Sequence, residues 1–190
     1  MKTLLLTGFG PFPGAPENPT AQIVAALADT PLPDTHLITR ALPVIWHAAE
    51  ARMADLISQT KPDAILHLGL ATQRHIISVE NRARNECTRL LPDADGACRS
   101  SGTIDPQGPG LRHVRVDGAK IVATLQARGL EAELSDDAGD YLCNHTLYMS
   151  LGSHVPRVGF IHLPAPSARM DLSAMTQGIA DVLRELARVN

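Results

Sequence analysis

Cysteine is scarce in this chain: Cys87, Cys98 and Cys143 are all it has. Three thiols are too few for a disulfide scaffold. An odd count with no secretion signal points to a reducing cytoplasm. Positive charge is not in excess either. Seventeen Lys and Arg against twenty Asp and Glu leave a net charge of −3. No basic stripe is present, so no nucleic-acid partner is expected. The opening residues Met1–Gly8 hold only a few apolar side chains before a turn. That is too short for a signal-peptide core or a membrane span, so no membrane partner is expected. No HExxH or CxxC motif occurs, and His145 lies only two residues from Cys143, which does not put both on one helix face. No metal is expected on those grounds. The loop Gly8-Phe9-Gly10-Pro11-Phe12-Pro13 is glycine-rich but has neither the dinucleotide fingerprint nor a Walker lysine, and its prolines remove amide donors. No cofactor is expected.

What remains is ordinary globular material. Apolar residues make up 44% and charged residues 19%, which suits one domain spanning residues 1–190 with one sizeable core. Lys2–Thr7, His36–Leu42, Ala64–Gly69, His75–Glu80, Glu131–Ser135 and Val158–Leu163 read as strands. Helices are expected from Pro19, capped by Asn18, and over Ile45–Ser58, Gly118–Arg128, Asp140–Leu151 and Leu172–Val189. Strands alternating with helices argue for an α/β layered sheet. The near-continuous apolar run Ala64–Leu68 fits a strand covered on both faces. Residues 86–116 show no clear elements and read as one long loop.

Four places can carry chemistry. Cys143 falls in the expected first turn of a helix that Asp140 can cap. Free amides and the positive end of the helix dipole both favour thiolate there. The plain alternative is a buried small residue packing with Leu147 and Leu151. Nineteen residues on, His162 closes an apolar strand just before Pro164, and strand ends open onto the crevice where α/β proteins bind ligands. Glu80 closes its strand in the same way. A carboxylate there can hold an imidazole by its other nitrogen, or can simply be a solvated charge. Finally, two of the three phenylalanines, Phe9 and Phe12, sit in one Gly/Pro loop. They either wall a small apolar pocket or anchor the loop.

Taken in order, these segments resemble the pyroglutamyl-peptidase I family. The match begins with Gly8-Phe9-x-Pro11-Phe12 and Asn18-Pro19. It continues through Leu42-Pro43-Val44, Lys61-Pro62-Asp63, Leu68-Gly69-Leu70 and the Glu80 segment to Asn85. It then takes in Tyr141-Leu142-Cys143-Asn144 and Gly159-Phe160-Ile161-His162-Leu163-Pro164. The resemblance implies a single-domain three-layer α/β/α sandwich around a twisted, mostly parallel (mixed) sheet. It implies a cysteine peptidase releasing 5-oxoproline from peptides with N-terminal pyroglutamate, assembled as a homo-oligomer, a dimer or tetramer. Carried over by position, Cys143 is the nucleophile, His162 the base and then acid, and Glu80 the orienting carboxylate. Phe9, Phe12, Tyr141, Leu142 and Leu91 line the substrate pocket. Gly10, Asn81 and Leu90 depart from the family pattern, which usually has an acidic residue at the first and arginine at the other two. Two further readings compete. One is a catalytically impaired homologue that binds pyroglutamyl peptides. The other is a nucleoside phosphorylase or hydrolase on a similar sheet, with Cys143 structural.

Overall fold

A computed structural model describes residues 1–188. The chain enters through β1 (Lys2–Phe9), followed by α1 (Pro19–Ala26), β2 (Thr35–Leu42), α2 (Trp46–Thr60) and β3 (Ala64–Leu70). Then come β4 (Ile77–Glu80), β5 (Arg82–Arg84), β6 (Leu111–His113), α3 (Gly118–Ala127) and β7 (Ala132–Ser135). It closes with α4 (Leu142–Leu151), β8 (Arg157–Leu163) and α5 (Leu172–Arg188). The expected end of the last helix at Val189 lies outside the described residues.

Local chemistry sets several boundaries. Asn18 caps α1 by accepting from the Thr20 amide at 3.0 Å, with Pro19 preset for the first helical position. Helix α2 stops at Lys61, which turns left-handed at φ 44°. The next residue is Pro62, and a residue before proline is disfavoured in the helical region.

Six strands form one sheet in the order β2-β1-β3-β8-β4-β7. The pairs β2–β1, β1–β3 and β3–β8 are parallel, β4 runs antiparallel to β8, and β7 is parallel to β4. The sheet is therefore mixed and mostly parallel. Side-chain alternation divides the core into two layers. Leu4, Leu6, Leu66, Leu68, Ile77, Val79 and Ile161 pack with α1, α3 and α5. Leu5, Phe9, Ile65 and Phe160 pack with α2 and α4. Each fully buried leucine or isoleucine contributes about 1.5–3 kcal/mol, and both faces are covered, so the three-layer α/β/α reading holds.

Two boundaries differ from the sequence expectation. The fourth strand begins at Ile77 rather than His75, because pairing with β7 starts only there, and Ile77, Ser78, Val79 and Glu80 are all buried. The long irregular segment contains a strand, β6, which pairs antiparallel with β5 and so closes the base of the loop. Asn85 pins that loop from inside. Its Oδ1 accepts from the amides of Ile104 and Asp105, and its Nδ2 donates to the Asp105 carbonyl at 2.7 Å. Asp93 does the same nearby, taking amides from Asp95, Ala97 and Trp46. No helix among the described residues is long and apolar enough to cross a membrane.

Candidate active site

The alternation that buries Leu5 and Phe160 toward α4 also aims polar residues at that layer. Thr7, His67 and Gly69 share that face, as do Ser78, Glu80 and His162. Cross-strand register places Gly69 and Ser78 on either side of His162.

Glu80 is fully buried. Its Oε1 lies 2.7 Å from His162 Nδ1 and accepts from Arg74 Nη1, also at 2.7 Å. Burial works against its charge. The hydrogen bond and charge of His162, with Ser135 and Arg74, nevertheless hold the carboxyl below the usual carboxylate value. An ionised carboxylate only accepts, so His162 Nδ1 carries the hydrogen and Nε2 is left free as an acceptor. The imidazole also rests on Phe160, with ring centroids 4.7 Å apart.

Cys143 occupies the first turn of α4, as expected, but the cap is different. Tyr141, not Asp140, is the N-cap residue, and no side chain caps the helix. Asp140 instead offers its carbonyl to the Thr88 amide at 2.6 Å. First-turn N–H groups lack intrahelical partners, so without a cap they remain free beside Cys143. The thiol itself does not match the expectation of a standing thiolate. Burial pushes it up to about 12, and the Glu80 charge adds to this while Arg74 pulls the other way. Cys143 as a residue is only half-buried, yet the protein around its thiol is dense. At neutral pH the resting group is the thiol.

Gly69 makes the arrangement possible. A methyl group there would sit 2.8 Å from Cys143 Sγ and 2.7 Å from Phe160 Cζ. Asn144, the next residue after the cysteine, ties the same helical turn to β5. Its Oδ1 accepts from the Arg84 amide at 2.9 Å, and its Nδ2 donates to the carbonyls of Arg84 and Glu86.

A cavity of about 50 Å³ opens beside the sulfur, lined by Phe9, Phe12, Asn18, Val44, Leu70, Tyr141, Leu142 and Cys143. The loop carrying Phe12 is held by a mutual backbone pair with Ala15 and by the Gly10 amide donating to Leu42 O. Tyr141 is fixed at both ends: its ring packs edge-on against Trp46, and its hydroxyl donates to Pro92 O at 2.8 Å. Four of the five expected pocket residues thus converge on the thiol. The fifth, Leu91, is 52% exposed and is not part of the cavity wall. It belongs to the surface loop that Tyr141 tethers, since the chain there faces outward with Leu90 at 88% exposure.

Sequence reasoning missed Arg74, Gly69 as a spacer, and Asn144 as an anchor. Asn144 carried a usable signal, because a buried asparagine in a first helical turn needs partners. Arg74 sits in a connection with no pattern. Among the described residues no cluster of three His, Cys, Asp or Glu can hold a metal ion.

A model of the pyroglutamyl peptidase family matches residues 1–178. The pyrrolidone-carboxylate peptidase of Pyrococcus furiosus is 36% identical over 85% of this chain and 80% of its own length. That of Gloeobacter violaceus is 33% identical over 96% of each chain. Among solved structures, the pyrrolidone carboxyl peptidase from Thermococcus litoralis superposes with a TM-score of 0.91, at 29% identity over 97% of this chain and 92% of that one. Bacillus amyloliquefaciens pyroglutamyl peptidase I also gives 0.91, at 27% identity over 100% and 98%. With the match running through the segments that bear Cys143, Glu80 and His162, the chain belongs to the pyroglutamyl peptidase family of cysteine exopeptidases.

Proposed function

We propose that the chain hydrolyses the amide bond after an N-terminal pyroglutamyl residue, with Cys143, His162 and Glu80 as a triad. The observation that carries this is the Glu80–His162 hydrogen bond of 2.7 Å on the sheet face covered by the Cys143 helix. With Nδ1 held by the carboxylate, Nε2 of His162 is the ring nitrogen that acts as the base in this reading.

The pyroglutamyl ring is neutral, because lactam formation has consumed the amino group. It needs a flat apolar slot with a few hydrogen-bonding groups, not a carboxylate for an ammonium. Phe9 and Phe12 wall the small, mostly apolar cavity beside Cys143, which is the chemistry such a ring requires. Because the resting group is a thiol, His162 Nε2 takes the sulfur's proton as Sγ attacks the scissile carbonyl. The uncapped amides around Cys143 receive the developing oxyanion, where losing one donor typically costs about 10²–10³ in rate. The tetrahedral intermediate collapses as His162 passes its proton to the departing amine, leaving a thioester on Cys143. Water, deprotonated by His162, then adds to the thioester and releases free 5-oxoproline and the thiol. Glu80 keeps the imidazole in the correct tautomer and offsets its positive charge in both halves.

The test is release of a fluorophore from a pyroglutamyl amide by wild type and by Cys143→Ala. Activity is expected in the first and none in the second. Full activity in Cys143→Ala overturns the mechanism.

A further inference from the structure

Glu80 uses one oxygen twice. Oε1 meets both His162 Nδ1 and Arg74 Nη1, while Oε2 is buried with no hydrogen-bond partner. A carboxylate bound through a single oxygen is held more firmly by each further donor; the Ser135 hydroxyl is one and Arg74 is the charged one. Arg74 also reaches further. It lies in the connection between β3 and β4, where its amide donates to Ala71 O at 3.0 Å. Its Nη2 donates to the Asp137 carbonyl, and its Nη1 comes within 3.4 Å of Ser135 Oγ. Ser135 ends β7, and Asp137 lies in the turn that leads into α4. One planar guanidinium therefore ties the end of β4 to the end of β7 and to the approach to the cysteine helix. A Lys ammonium keeps the charge but not the planar fork that meets these groups together.

We propose that Arg74 is a positioning residue for the Cys143–His162–Glu80 centre: it locks the Glu80 carboxylate and sets a positive charge against it beside the thiol. The inference rests on the triad reading above. The alternative is a surface staple. The Arg74 side chain is 28% exposed while Glu80 is fully buried, so losing Arg74 leaves a buried carboxylate with one partner fewer and lowers melting in either reading. A staple would lower melting and leave the chemistry at Cys143 unchanged.

The charged groups around this point all bear on the test. Glu80, His162 and Cys143 face Arg74 from β4, β8 and α4. The Asp137 carboxylate is turned to Arg84 at 3.1 Å. His75, Glu131 and Arg169 share with Arg74 a cleft on its outer side. Removing a cation makes every nearby group hold its proton more tightly.

The experiment compares wild type, Arg74→Met and Arg74→Lys in two ways. One is steady-state cleavage of a pyroglutamyl-fluorophore amide. The other is iodoacetamide alkylation against pH, read by mass spectrometry on the Cys143 peptide so that Cys87 and Cys98 do not interfere. Arg74→Met is expected to lower kcat about 10²-fold with KM within about 3-fold, as misplacement of a reacting group does. Its Cys143 alkylation curve is expected to move up by about half to one pH unit, read below the midpoint as a rate about 3–10-fold slower at each pH. Arg74→Lys keeps the charge, so its alkylation curve is expected to return to wild type with only part of kcat regained. A folded Arg74→Met protein with a wild-type alkylation curve overturns the proposal, as does an Arg74→Lys curve no closer to wild type than that of Arg74→Met. If Arg74→Met fails to fold, Arg74→Gln removes the same charge while keeping a donor, and the same shift is required of it. If wild type itself releases no fluorophore, it is the triad reading that fails, and the alkylation curves still show whether Arg74 governs Cys143.

Discussion

Gly69→Ala puts a single methyl group where the fold has left no room. The added carbon would stand 2.7 and 2.8 Å from two atoms of the Phe160 ring and 2.8 Å from Cys143 Sγ. Ordinary non-bonded contacts lie at about 3.5–4.0 Å, so roughly 0.8 Å must be found. Phe160 cannot supply it freely, being fully buried between His67 and His162. Overpacking of this kind costs about 1–3 kcal/mol. In a domain of this size each kcal/mol lowers Tm by about 2–4 °C. Cys143, a half-buried residue in the first turn of its helix, is the softer neighbour and takes most of the displacement. A shift near 1 Å at the reacting atom costs about 10²-fold in rate. Two measurements decide the matter: the melting curve of the variant and its kcat/KM on a pyroglutamyl-fluorophore amide. The expected outcome is a folded protein with Tm lowered by several degrees and activity lowered far more than that loss of stability explains. A variant with kcat/KM within about 3-fold of wild type refutes the placement of Cys143 Sγ against Gly69.

Glu80→Gln keeps the shape and removes the charge. Activity is expected to fall about 10²-fold through loss of orientation, less than the complete loss in Cys143→Ala. Since Glu80 raises the proton affinity of Cys143, alkylation of that thiol should move to lower pH, opposite to Arg74→Met; an unmoved curve refutes the charge coupling. Acid sensitivity follows from two buried histidines. Burial lowers His67 from 6.5 to about 3, and burial followed by the Arg99 charge lowers His145 to about 4. The unfolded chain binds these protons below about pH 6.5 and the folded chain does not. Their stabilisation is therefore complete above pH 6.5 and is lost as pH falls toward 4, at about 1.4 kcal/mol per pH unit for each histidine. Urea midpoints measured at pH 7, 6 and 5 should fall steadily; a flat series refutes the neutral buried state of these rings.

Much of the fold was legible in the residues because it depends on short-range rules. Asn18-Pro19 starts α1 by local capping chemistry, and Pro62 ends α2 by a local clash. Apolar runs such as Ala64–Leu68 mark a strand covered on both sides. The site was legible in part. Cys143 at the start of α4, His162 near the end of β8 and Glu80 at the end of β4 could each be picked out, as could the two-phenylalanine loop. Where local reasoning slipped, a distant partner had intervened. Asp140 has the chemistry of a cap but gives its carbonyl to Thr88, so the helix begins one residue later with its first amides free. Leu91, a pocket residue only by the family resemblance, lies in a loop tethered by Tyr141 where Leu90 and Leu91 are exposed. The helix-end argument for thiolate gave way to burial and to the Glu80 charge, neither of which a linear reading can weigh.

The amino-acid order by itself determined the alternation of strands and helices, the places of Cys143, His162 and Glu80 on them, and the family to which the chain is similar. Those follow from periodicity, capping and motif, which act over a few residues. Only the tertiary structure decided that Glu80 holds His162, that Arg74 shares the same carboxylate oxygen, and that Gly69 leaves space for the sulfur. Each of these needs β3, β4, β8 and α4 to meet across a sheet, at separations from 6 residues for Arg74–Glu80 to 82 for Glu80–His162. Packing between distant segments, not local propensity, sets such distances.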